Sequence, residues 1–276
     1  MDPVFLQLGD SFQLRYHGLF WALGILVGYL IARRDLKWIE AEINEDDLFN
    51  LIIFTFIGGI IGARAFYVFI HWEFYSSSRV PWYEFAAIWQ GGLSIFGGLV
   101  AGPITLWLVC QAQGHPFGKL ADLFAPSFLM AQVFGKLGNF MNGDTHGLPT
   151  ELPWGVVFHY GPAAREFPGM ALHPVMLYEA LLNLIAFGLL FSIRKMGFRP
   201  GMVAAVYMIL FGSIRFVEAF FRADEAVIMD VKLAFPLSAL LALSGLVLIL
   251  FLGLHEEEQV QRKRETQYLP KRQWKL

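Results

Sequence analysis

Residues 135–147 read Gly-Lys-Leu-Gly-Asn-Phe-Met-Asn-Gly-Asp-Thr-His-Gly, which sets a cation (Lys136), two amides (Asn139, Asn142), an acid (Asp144) and an imidazole (His146) in one stretch. On a helix turning about 100° per residue, Lys136, Asn139 and Asn142 fan over about 120° and can line one cavity. Further on, Arg215, Glu218 and Arg222 fall within about 60° of one another by the same rule. Other residues able to join them are Arg64, His17, and the run from His173 through Tyr178 to Glu179. Four cations (Arg64, Lys136, Arg215, Arg222) can bind an anion, with Glu179, Glu218 and Asp144 as counter-charges.

The elements that must position these groups are membrane helices. Of the 276 residues 56% are hydrophobic and only 16% charged, with a mean hydropathy of +0.51. A soluble domain would carry about 25% charge. Seven segments approach the roughly 20 apolar residues needed to cross a bilayer: 18–32, 48–70, 85–109, 120–142, 172–193, 201–221 and 233–254. Thirteen Lys and Arg fall in the loops and tail of one side and five on the other. The excess marks the cytoplasmic side, so the N-terminus is expected outside and the C-terminus inside. The expected fold is an all-α, polytopic bundle forming one domain over 1–276, with an external head loop at 143–171 and a cytoplasmic tail at 255–276. The acidic N-terminus lacks a signal-peptide n-region, so the first segment is expected to remain as a helix.

Net charge of −2 argues against a nucleic-acid partner. The single cysteine, Cys110, rules out an internal disulfide and a Cys-based zinc cluster; in its apolar stretch it reads as a small buried hydrophobe. No metal or cofactor is expected.

With this topology the polar residues of six helices gather at the outer membrane face, where lipid phosphate is the resident anion. Ionisable groups at membrane depth cost about 2.5–3.5 kcal/mol each on insertion scales and are functional candidates for that reason. Plainer readings stay open residue by residue. Arg215 and Glu218 can be a structural pair, Arg222 can snorkel to the interface, and Asn139 and Asn142 can cap or cross-link helices. His17 and His71 can be interfacial, and Gly91, Gly92, Gly97 and Gly98 can serve close packing alone. Trp21, Trp82, Trp89 and Trp154 read as interface aromatics.

The stretch 135–147 resembles the signature of the prolipoprotein diacylglyceryl transferases, Gly-Arg-x-Gly-Asn-Phe-x-Asn-x-Glu-x-x-Gly. Tyr16-His-Gly18, Gly62-Ala-Arg-Ala-Phe-Tyr67, Gly91-Gly-Leu-Ser94, Gly97-Gly98, His173-Pro174, Leu177-Tyr-Glu179 and 215–222 are similar to the family's other blocks, in the same order. The resemblance implies a seven-helix protein of the bacterial inner membrane whose site faces the outer leaflet. It also implies transfer of diacylglyceryl from phosphatidylglycerol to the lipobox cysteine of a preprolipoprotein, forming a thioether and releasing glycerol phosphate. Lys136, Arg215 and Arg222 would then hold the phosphate, with Asn139 and Asn142 orienting the head group. Asp144 and Glu218 would position the cations, with Arg64, Tyr178, Glu179, His173 and His17 as further substrate contacts. His146 is the candidate base.

The chain departs from the pattern at five places. Lys136 stands for Arg, Asp144 for Glu, Phe96 for a His between the glycine pairs, and His17 for Tyr; Glu218 follows Arg215 by three residues instead of four, leaving Ala219 at the family's acid position. Phe96 and Lys136 suggest as an alternative a paralogue that binds anionic lipid without transfer. A transporter of an anionic lipid or solute is the other, and it calls for polar groups at the inner leaflet, where Asp122 is the main one.

Overall fold

The computed structural model describes residues 4–8, 12–36, 43–77, 81–88, 91–223, 227–228 and 231–268. Arg79, Trp89, Gln90 and the tail cations Lys271, Arg272 and Lys275 lie outside the described residues. The chain opens with a hairpin of β1 (Val4–Leu8) and β2 (Phe12–Arg15), which leads into α1 (Tyr16–Asp35). Then come α2 (Glu45–Ile70), the short α3 (Trp72–Tyr75), a 3-10 turn at Trp82–Ala86, α4 (Ile95–Gln113) and α5 (Phe117–Asn142). A lobe follows, holding β3 (Val156–Val157), α6 (Gly161–Glu166) and β4 (Ala171–Leu172). The chain continues through α7 (Val175–Ile193), α8 (Met202–Glu218), the ribbon of β5 (Val227–Ile228) and β6 (Val231–Lys232), and α9 (Ala234–Tyr268).

Five of these helices, α1, α2, α4, α7 and the 234–253 part of α9, are long and apolar enough to cross a membrane. Leu26, Ile61, Leu181 and Val247 point outward from them and are exposed, as suits side chains that face lipid. The architecture is that of a polytopic membrane protein. Helix α5 carries Lys136, and α8 carries Arg215 and Glu218. The all-α expectation holds for the bundle; among the described residues, three short two-stranded antiparallel ribbons accompany the helices. They occur where chain leaves or enters a helix, and there backbone groups must pair with one another once helical partners run out.

The third expected segment, 85–109, is not one helix. Gly91 and Gly92 take φ of +89° and +77°, and α4 begins only at Ile95. Arg64 holds this break in place. Its guanidinium donates to the carbonyls of Glu84, Phe85 (2.9 Å), Gly91 (2.8 Å) and Gly92 (3.0 Å). Tyr67 and Tyr75 flank the cation. The last segment runs on as helix to Tyr268, into the charged tail.

Packing divides the bundle. Helix α1 lies along α5 so closely that a Cβ on Gly24 would come 2.8 Å from the Ala131 carbonyl oxygen. Helix α2 lies along α4 just as tightly; a Cβ on Gly97 would meet Phe66 Cβ at 2.6 Å. A three-helix core joins α5, α7 and α8 through Ala125, Leu129, Ala186, Leu190, Val203, Tyr207 and Phe211. The α2–α4 pair touches this core only sparsely. It is tied in at the end where α1 finishes and α2 begins, through Ala32, Leu48, Leu51, Leu106, Cys110, Leu120 and Leu123.

Candidate functional site

At the other end of the bundle, near where α5 finishes and α7 begins, the charged side chains meet. Glu179 lies in the second turn of α7 and is 1% exposed. One of its oxygens, Oε2, takes an ion pair from Lys136 of α5 and lies 3.5 Å from Arg215 Nη1 of α8. Arg215 also pairs with Glu218 one turn on, and Glu218 Oε1 is 3.7 Å from Arg222 Nη1. The result is a chain of alternating sign, Lys136–Glu179–Arg215–Glu218–Arg222, drawn from α5, α7 and the end of α8. With the carboxylates ionised it carries one more positive charge than negative. Such burial requires that every charge have a partner, and removing one member of a buried pair costs about 3–5 kcal/mol. The face of the Phe96 ring, on the first turn of α4, looks onto Arg215 with its centroid 5.9 Å from Cζ.

Beside this chain is a second polar group, on the face of α5 that meets α1. Helix α5 ends at Gly143, whose φ of +70° lets the chain turn back. Asp144 then accepts a hydrogen bond from the Asn142 amide and lies 3.8 Å from His17 Nδ1 at the start of α1. The Asn139 amide donates to the Thr145 hydroxyl at 3.4 Å. Thr145 has a φ of +51°, alone among the described non-glycine residues, and for a β-branched side chain this is a strained conformation.

His146 goes elsewhere. Its ring is 1% exposed, with Nε2 3.0 Å from Glu166 and its edge against Phe167. The ring therefore sits against α6 and the residue after it, while the His146 carbonyl accepts from the N–H of Ala223, the neighbour of Arg222. His173 and Tyr178 face each other at 3.3 Å, and the Tyr178 hydroxyl also accepts from Trp154 Nε1 at 2.7 Å. With Phe221 they make an aromatic wall over the start of α7. Of the expected site residues, then, Lys136, Glu179, Arg215, Glu218 and Arg222 form one network, and His17, Asn142 and Asp144 another. Asn139 braces the turn through Thr145. The guanidinium of Arg64 is taken up by backbone carbonyls, and its influence runs through the start of α4.

Some residues of this region escaped the sequence reading. Lys232 donates to the Ala219 and Arg222 carbonyls at 2.8 and 2.6 Å, closing the end of α8. Gln132 and Asn183 lie four residues from Lys136 and Glu179, on the same helix stripes, and neither side-chain amide finds a hydrogen-bond partner. Asn183 is fully buried. An unpartnered buried amide costs roughly 1–3 kcal/mol. Helical spacing alone could have found both.

The family model described as "Prolipoprotein diacylglyceryl transferase" matches residues 3–251. Among curated relatives, the phosphatidylglycerol–prolipoprotein diacylglyceryl transferase of Gloeobacter violaceus is 32% identical over 252 residues, covering 89% of each chain. The protein of the same name from Finegoldia magna is 31% identical, over 90% of this chain and 94% of that one. That from Staphylococcus epidermidis is 33% identical, over 91% and 89%.

Proposed function

This chain belongs to the prolipoprotein diacylglyceryl transferase family, and from that premise we propose that it moves the diacylglyceryl group of phosphatidylglycerol onto the cysteine thiol of a prolipoprotein. The observation that carries the reading is the alternating chain Lys136–Glu179–Arg215–Glu218–Arg222, with its surplus cation inside a membrane bundle. The substrate thiol sulfur attacks the glycerol carbon that bears the phosphate. The S–C bond forms as the C–O bond breaks, and the electron pair leaves on the phosphate oxygen. The lipid phosphodiester carries one negative charge, while the released glycerol phosphate carries close to two. Charge therefore develops during the step, and fixed cations stabilise it most in the transition state. Glu179 and Glu218 hold the cations in register before the lipid arrives.

The thiol proton needs an acceptor. His17, partly exposed and facing Asp144, suits this role better than His146, whose ring is buried and paired with Glu166. His173 and Tyr178 border the entrance for the peptide, and Asn139 and Asn142 fix the turn that carries Asp144. The nucleophilic cysteine arrives with the substrate, so Cys110, buried at the far end, takes no part.

In this reading α5 and α8 also cross the membrane, making seven spans in a single domain over 1–276. The Lys and Arg asymmetry supports an external N-terminus, an external head at 143–171 and a cytoplasmic tail. The site then opens to the outer leaflet of a bacterial inner membrane. Incubating the purified protein with phosphatidylglycerol and a lipobox peptide tests the activity. The expected result is a diacylglyceryl mass increment on the peptide cysteine; its absence, where a relative named above gives it, would leave a lipid-binding protein without transfer.

A further inference from the structure

Directly beneath the ionic chain lies a polar layer that the phosphate chemistry does not use. Gln132 is one helical turn from Lys136 on α5, and Asn183 one turn from Glu179 on α7. They sit on the stripes that these helices turn toward α8, as their neighbours Leu129 and Ala186 in the three-helix core show. Asn183 is 0% exposed, and neither its amide nitrogen nor its oxygen has a partner. Both polar atoms of the Gln132 amide are in the same position. Tyr207 of α8, 8% exposed and part of the same three-helix core, has a hydroxyl that completes no hydrogen bond. Three side chains able to donate, each without a hydrogen-bond partner, thus lie on the three helices that share this core.

Depth and access narrow the ligand. One helical turn is about 5.4 Å, and the glycerol backbone of a phospholipid spans a similar length between its phosphate and its ester carbonyls. A lipid with its phosphate at Lys136 and Arg215 therefore carries its ester carbonyls to the level of Gln132 and Asn183. Ester carbonyls only accept hydrogen bonds, which matches amide N–H and phenol O–H donors. The wall facing this layer is α4, with Phe96 over Arg215 and Leu99 one turn deeper against the core. Helix α4 is fastened firmly to α2 and at the opposite end, and it meets the three-helix core here only sparsely.

We infer that Asn183, Gln132 and Tyr207 form an ester-carbonyl subsite that seats the diacylglyceryl half of the substrate. The inference rests on the reading of the ionic chain as a lipid-phosphate site, and deepens it. It makes the protein a reader of the ester linkage as well as of the head group.

The test compares dioleoyl phosphatidylglycerol with its dioleyl ether analogue, which keeps the head group and chains but lacks the carbonyls. Two quantities are measured for wild type, Asn183→Leu and Gln132→Leu: the rate of transfer to a lipobox peptide, and retention of each lipid by the detergent-solubilised protein in native mass spectrometry. Wild type should favour the diester by about tenfold, the effect of one or two hydrogen bonds. Asn183→Leu should bring the diester down to the level of the ether lipid. Equal use and equal retention of the two lipids by wild type would overturn the inference, whether or not the variants fold. So would a loss in Asn183→Leu that is the same for both lipids, since that marks a packing role. If wild type transfers neither lipid yet retains the diester better, and Asn183→Leu removes that preference, the subsite stands and the transfer reading falls.

Discussion

The two ends of the bundle treat buried charge differently. At the end where α7 finishes, Asp35 of α1 is paired with Arg194, whose guanidinium also lies over Phe191. Nearby, the two oxygens of Asp122 accept the backbone N–H groups of Gly201 and Ala204, each at 2.8 Å, so a carboxylate of α5 caps α8. Both of these acids are committed to a local structural task. At the other end Glu179 and Glu218 are each shared between two cations, and the cations outnumber them. Closed pairs and caps hold helices together, whereas under the proposed function a shared network with more cations than acids among the described residues serves an anion. A transporter should show open polar groups at both ends, and Asp122, the group that reading depended on, is occupied as a cap.

The contrast can be broken most forcefully at Arg215, the central cation. Arg215→Ala should lower transfer by about 10²–10³, the usual effect of losing a charge-stabilising donor. It should also lower the unfolding temperature, because Glu179 and Glu218 lose a buried partner. Transfer rates and thermal unfolding of the same sample separate the two effects; normal transfer in folded Arg215→Ala would make the network structural.

Lys136 should matter less, being the more exposed end of the chain. Lys136→Ala is expected to reduce transfer at least about tenfold. Lys136→Arg should keep or raise it by supplying a forked grip on phosphate.

The proton acceptor gives a smaller, pH-dependent effect. Deprotonating a thiol of pKa about 8.5 at pH 7 costs about 2 kcal/mol, roughly thirtyfold in rate. If His17 takes this proton, His17→Ala should be slow at pH 7 and recover in part at pH 9, where the thiol ionises unaided. His146→Ala should instead show one defect at both pH values, with reduced stability, because it loses its pair with Glu166. Recovery by His146→Ala alone would reverse the two roles.

At the opposite end the effect on chemistry should be least. Asp122→Ala should cost about 1 kcal/mol of stability, as for a lost helix cap. The folded fraction should transfer at the normal rate. A specific loss of turnover in Asp122→Ala would mean that the two ends are coupled.

What could be read from the sequence follows from periodicity and cost. Apolar runs and their charged borders mark the helices. The gathering of Lys136, Glu179, Arg215, Glu218 and Arg222 follows from the expense of charge at membrane depth. The start of α4 was not legible, because it depends on Arg64 collecting carbonyls from a turn far along the chain. Nor was the destination of His146, whose ring contacts Glu166, 20 residues further along the chain. Gln132 and Asn183 carry no charge, so the expense of burying charge did not mark them.

The central claim is that the surplus positive charge serves a phosphate on which charge is growing. It is tested most directly by the saturated transfer rate of Lys136→Ala with phosphatidylglycerol. A cation that acts on developing charge predicts a fall in kcat of about tenfold or more with a smaller change in KM. An unchanged kcat, with KM raised alone or not at all, would contradict it and leave Lys136 holding the lipid or merely pairing with Glu179.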